Sequence, residues 1–194
     1  MPWEKAFDIE ITLAKAMETF WVHGYEAASM QKLVDRMGIG RGSLYATFGD
    51  KRSLFIQALR LFDQRHRDDW TCELAEHPSG KASILAAFDT VIDSTLNDGK
   101  HRYGCLLVNT AIELSPHDPE ISKLVNECLS HMEIFFRDQV VRSQQDGEIP
   151  EDLSPSQTAK TLLALYVSLR VFCRGRQEPD LLQVVSAQVE ALVS

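Results

Sequence analysis

Gly38-Ile39-Gly40 constrains this chain more than any other segment. It interrupts a helical stretch, Ser29 to Arg52, with the short glycine-containing turn that lets two helices cross steeply. Leu33 and Met37 lie one turn apart before the break, Leu44 and Phe48 one turn apart after it, and Ile39 falls between them. The spacing predicts that these five side chains close a small shared core, as in a helix-turn-helix.

The residues left outside that core are small, hydrogen-bonding or basic: Ser29, Gln31 and Lys32 on the first helix, and Arg41, Gly42, Ser43, Tyr45, Ala46 and Thr47 on the second. A reader of the DNA major groove needs such a surface, because acidic side chains repel phosphates and bulky apolar ones leave base edges unpaired. Between Ser29 and Arg52, five basic residues stand against two acidic ones, a local charge of +3, whereas the whole chain carries −8. An acidic chain with one basic spot is expected to dock on double-stranded DNA at that spot alone.

Gly24-Tyr25-Glu26-Ala27-Ala28-Ser29, then Gly38-Ile39-Gly40-Arg41-Gly42-Ser43-Leu44-Tyr45, Phe48 and Asp50-Lys51 together resemble the DNA-binding domain of the tetracycline-repressor (TetR) family. The resemblance covers about the first third of the chain. It implies an all-α fold of about nine helices and a homodimer. It places a helix-turn-helix three-helix domain in residues 1–50 and a ligand-binding and dimerisation domain in residues 51–194. It further implies a transcriptional repressor whose effector, an unidentified small molecule, releases it from a palindromic operator. Half-site spacing near one helical turn follows from two such units on a two-fold axis.

Ser29, Gln31, Arg41, Gly42, Ser43, Tyr45, Thr47 and Lys51 are the expected DNA contacts. The Arg41 fork suits either a guanine edge or a phosphate. Tyr45 and Lys51 resemble family positions that hold the DNA backbone. The chain departs from the pattern at Ala46 and Thr47, where many relatives carry a larger aromatic or histidine.

Elsewhere, breaks and caps divide the chain. A first helix is expected over 8–23 with Ile11, Ala14, Met17 and Trp21 inward and Gly24 as a left-handed cap. Asp50 caps a longer helix towards Glu76, with Leu54, Ala58, Leu61, Phe62 and Arg65 on its apolar side. Further helices are expected over 81–96, 105–114, 119–145, 155 onward and 180–193, the third capped by Asp118 and the fourth by Ser154.

The last two helices spread apolar residues around nearly their whole circumference. This surplus predicts pairing across a two-fold axis through Leu162, Tyr166, Leu169, Phe172, Leu182, Val185 and Val189. The effector pocket is expected among Phe62, Arg65, His66, Trp70, Phe88, Tyr103, Cys105, Asn109, Met132 and Phe136, an apolar set with a few polar groups.

Cys105 carries an alternative. Tyr103-Gly104-Cys105-Leu106-Leu107-Val108-Asn109, with Glu113 and Ser115-Pro116-His117-Asp118, resembles a branch of the family in which some members sense oxidants or electrophiles through a cysteine. A helix N-terminus favours a reactive thiolate, whereas a buried cysteine is usually a small hydrophobe.

Other chemistries find no pattern. Cys72, Cys105, Cys128 and Cys173 form no C-x-x-C pair, and the six histidines show no repeated ligand spacing, so neither metal nor disulfide is expected. No nucleophile elbow is present, so the chain is not expected to be an enzyme and needs no cofactor. Without a basic leader or an apolar run long enough to span a bilayer, it is expected in the cytoplasm.

Overall fold

Asp8 starts the first helix: its carboxylate accepts the Ile11 amide at 3.0 Å, and α1 runs Ile9–His23. Ser29 does the same for α2, Met30–Met37, through the Lys32 amide, and Asp50 for α4, Lys51–Asp69, through the Ser53 amide at 2.7 Å. Between them lies α3, Arg41–Phe48. The remaining helices are α5, Gly80–Asp93; α6, Leu106–Glu113; α7, Pro119–Gln145; α8, Pro155–Gly175; and α9, Pro179–Leu192. Asp118 and Ser154 cap α7 and α8 as the sequence predicts, each with proline in the first turn.

This computed structural model describes residues 7–69, 74, 76–98 and 103–194. Trp70, Cys72, His101 and the expected run of α4 beyond Asp69 lie outside or across the gaps between them. Among the described residues the fold is all-α, with nine α-helices and no strand. The helix expected over 81–96 leaves α-helical geometry at Asp93 and continues as a π-helical turn, Ser94–Asp98.

The five predicted helix-turn-helix core residues are all buried. Gly38 makes the turn possible with φ 71 and ψ 29, a left-handed geometry costly for other residues. Gly24 also has positive φ, 79, but its ψ of 169 departs from the expected left-handed cap and is open essentially to glycine alone.

The inward face of α1 differs from the expected one. Ile11 is 57% exposed, while Thr12, Ala16, Met17, Thr19 and Phe20 are buried. Phe20 fixes that rotation, because its ring packs edge-on against Phe55 of α4 at 4.9 Å between centroids. The first turns of α4 therefore complete the N-terminal core, and its later turns pass on towards α6 and α7.

In the C-terminal part α7 packs along α8 and α5, and α9 covers α5 and α8. The start of α5 approaches α7 so closely that a Cβ on Gly80 would collide with the Gln139 carbonyl. Phe88, Phe136 and Tyr166 form the aromatic centre, with Phe88 and Tyr166 edge to face at 5.6 Å.

Candidate nucleic-acid interface and effector cavity

Short α2 and α3 carry Gln31, Arg41, Gly42, Ser43, Tyr45 and Thr47 of the expected DNA-reading set, with Ser29 capping α2 and Lys51 opening α4. Ser29, Gln31, Arg41, Gly42, Ser43 and Tyr45 are exposed, whereas Thr47 and Lys51 are half-buried. The Arg41 guanidinium donates to Gln31 Oε1 at 3.0 Å, and Gln31 Nε2 donates to Asp35 Oδ1 at 2.8 Å. Lys51 Nζ donates to the Glu26 carbonyl at 3.3 Å and lies 4.5 Å over the Tyr25 ring. Burial of its ring raises the Tyr25 phenol, with Glu26 adding to the effect. This leaves Arg41 oriented by Gln31 and still exposed. Residues 29–52 thus present a hydrogen-bonding, locally basic surface with the helix N-termini of α2 and α3 at its edge.

Three polar ties join this head to the rest of the chain. The Glu113 carboxylate, at the end of α6, accepts the backbone amides of Tyr25 at 3.2 Å and Glu26 at 3.0 Å. Arg52 grips Asp118 with two bonds, 2.7 and 3.0 Å, and reaches Glu120 at 2.7 Å. These bonds hold the Asp118 carboxyl down at about 2 and raise the Arg52 guanidinium. Trp21 Nε1 on α1 donates to the Gly104 carbonyl at 3.1 Å, and Arg170 Nη2 on α8 donates to the same oxygen at 2.9 Å. Glu113 and Gly104 were visible in the sequence as residues of the family-like segment, but their partners are 66 to 88 positions distant and no local pattern reveals them.

A cavity of about 430 Å³ opens where these elements meet. Trp21 and Met17 of α1, Phe62 and His66 of α4, Ala87 and Val91 of α5, and Tyr166 and Arg170 of α8 form its walls, with Glu18, Arg65 and Asp69 among the exposed lining residues. Trp21 meets Phe62 edge-on at 5.5 Å. Burial pushes the Tyr166 hydroxyl above its ordinary range, so it stays protonated and able to donate.

Only part of the expected pocket is here. Phe62, Arg65 and His66 line it, whereas Phe88, Cys105 and Phe136 have no exposed surface and belong to the packed core. Their apolar character suited either role, and packing between α5, α7 and α8 consumes them. Met132 lines a separate cleft of about 370 Å³ between α4 and α7, and Tyr103 an outer cleft beside Trp21 and His23. Asn109 donates to the Tyr103 carbonyl at 3.1 Å and so braces the loop before α6. Tyr166 and Arg170 were the residues missed; an arginine four positions after a tyrosine on an apolar helix face was the available signal.

The expected dimer surface also needs correction. Leu162, Tyr166, Leu169, Leu182, Val185 and Val189 are buried inside the protomer, and Phe172 is half-buried. A side chain already covered by its own chain has no surface to offer a partner. The apolar residues facing outward on α8 and α9 are instead Val171, 42% exposed, and Val184, 57% exposed, with the exposed alanines Ala164, Ala187 and Ala191.

Among the described residues no group of three or more histidine, cysteine or acidic side chains is placed to hold a metal ion, and no helix is long and apolar enough to cross a membrane. An exposed helix-turn-helix tied by long-range polar contacts to a cavity-bearing helical body defines a one-component DNA-binding regulator.

The family model described as bacterial regulatory proteins, tetR family, matches residues 13–58, and that of the tetracyclin repressor-like C-terminal domain matches residues 80–189. The chain belongs to the TetR family of transcriptional regulators, DNA-binding proteins that are not enzymes. It is 33% identical to the uncharacterised HTH-type transcriptional regulator YezE of Bacillus subtilis, with 92% of each chain covered. It is 28% identical to the HTH-type transcriptional repressor ComR of Escherichia coli, covering 93% of this chain and 86% of that one. Among solved structures, a cysteine mutant of the regulator CifR in complex with a 26-bp double-strand operator is similar with a TM-score of 0.85, at 26% identity over 99% of this chain and 100% of that one.

Proposed function

We propose that this chain is a cytoplasmic repressor that binds a palindromic operator as a homodimer and leaves it when a small molecule enters the 430 Å³ cavity. The observation that carries the reading is the composition of the cavity walls. Trp21 comes from α1, on which α2 packs, and Tyr166 and Arg170 from the distal body, so an occupant touches both. Filling the space changes the angle at which α1 meets α8, and with it the separation of two reading heads in a dimer. The outward strip of Val171, Val184 and the α8 and α9 alanines supplies the two-fold contact. Operator complexes of the similar CifR protein support DNA as the partner.

The test is a mobility shift with DNA upstream of the chain's own gene, wild type against Arg41→Ala/Tyr45→Phe. A specific, salt-dependent shift lost in the double variant is expected; a shift that the double variant retains defeats the assignment of the reading surface.

A second reading is favoured by one observation. Cys105 caps α6 directly after the Gly104 carbonyl that Trp21 and Arg170 share, so covalent modification there would disturb the same junction. Cys105 has no exposed surface, and a reagent reaches it only when the start of α6 opens.

A further inference from the structure

We infer that the effector of this regulator is a monocarboxylate with an apolar body, and that Arg170 acts as both its receptor and the trigger of release. The inference rests on the effector reading above and specifies its chemistry. Arg170 is only 3% exposed, yet it lines the cavity together with Tyr166 and His66. A buried guanidinium on the cavity wall, with a tyrosine one helical turn before it, favours a carboxylate through charge-assisted hydrogen bonding that a neutral ligand cannot reproduce. Trp21, Phe62 and Val91 make the rest of the lining largely apolar, which suits an aryl or alkyl body. The exposed lining carries Glu18 and Asp69 against a single cation, Arg65, and this net negative balance opposes ligands with a second negative charge.

Arg170 is not a passive wall. Its Nη2 donates to the Gly104 carbonyl, which also receives Trp21 Nε1. A carboxylate that engages the guanidinium draws it from this oxygen while its body presses on Trp21. Both bonds that tie α1 and α8 to the start of α6 then weaken together. Gly104 has φ 73, and a Cβ there would lie 3.1 Å from the Arg170 carbonyl, so the junction is built without slack. Reciprocity requires that operator DNA lower carboxylate affinity by the same factor as the carboxylate lowers operator affinity.

The experiment uses the full-length protein with 4-phenylbutyrate and its neutral amide as probes, read by thermal shift, calorimetry and operator mobility shift. The acid is expected to bind roughly 10- to 100-fold more tightly than the amide, the range of a hydrogen bond to a charged group. Arg170→Gln is expected to erase that difference, and Arg170→Lys to restore part of it, with circular dichroism confirming the fold of each. Trp21→Phe should still bind the acid but show a smaller coupling between acid and DNA, a change that a merely structural role for the indole would not produce. Equal affinity for acid and amide in the wild type overturns the proposal without any variant. So does absence of acid binding at millimolar concentration, and so does full retention on the operator when acid-loaded. In the first two cases a specific operator shift leaves the repressor reading standing, whereas retention by acid-loaded protein leaves operator binding standing and removes the cavity as the release switch. Specific acid binding by a protein that shifts no selected DNA defeats the repressor reading instead and leaves the carboxylate site in place.

Discussion

The reading head and the cavity were built by opposite means. In the head, Arg41, Gln31, Ser43 and Tyr45 lie within one short motif, and their positions follow from a turn and two short helices. In the cavity, neighbours such as Trp21, His66, Val91 and Arg170 come from four helices that meet only after the chain has folded. A surface made by local geometry is fixed by adjacent residues. One made by tertiary packing depends on which apolar side chains the core takes first.

Phe88 breaks or sharpens this contrast with the largest expected effect. It has no exposed surface and contacts the Tyr166 and Phe136 rings, so Phe88→Ala is expected to cost about 3–5 kcal/mol in denaturant unfolding. A loss well under 1 kcal/mol with altered effector affinity would return Phe88 to the pocket. Next, Gly80→Ala drives a methyl group into the Gln139 carbonyl and should cost about 1–3 kcal/mol, with operator affinity of the folded protein unchanged.

Arg41→Ala should act the other way round. It is expected to weaken operator binding by about 1–3 kcal/mol at constant salt while leaving the melting temperature within error, because Arg41 is exposed and its loss opens no core. A lowered melting temperature would mean that the Arg41–Gln31 bond holds the head together rather than orienting its contact.

The smallest effect concerns the tie between the two regions. Asp118 is held at about 2 against an ordinary 3.8 by Arg52, so its stabilising contribution is present above pH 3.8 and is lost as pH falls towards 2. Wild-type stability should therefore drop faster than that of Arg52→Ala across this interval, measured by urea unfolding at each pH. Parallel curves would show that the ion pair contributes nothing there.

Helix starts were legible because Ser29, Asp50, Asp118 and Ser154 satisfy amides within three residues of themselves. The helix-turn-helix core was legible for the same reason. The apolar spacing on α8 assigned Leu162, Tyr166 and Leu169 to a partner, yet the same spacing serves a core, a cavity or a partner alike. All three uses require an apolar stripe. The answer came from α7 and α9, with α5, which cover most of the stripe and leave Tyr166 and Arg170 beside the cavity. Ile11 misled for a related reason, since the ring contact of Phe20 with Phe55 outweighs one aliphatic residue in setting the rotation of α1.

Glu113 holds the DNA-reading head through the backbone amides of Tyr25 and Glu26, and not through their side chains. The attachment is therefore indifferent to the identity of the residues it grips. Substitutions on the exposed faces of the two helices that follow can alter which DNA is read without loosening the clamp, whereas Tyr25 also packs against Phe20 and Phe55. Operator preference can accordingly drift independently of the helical body, and a head transplanted from a relative should dock on this body provided its turn presents two amides in the same place.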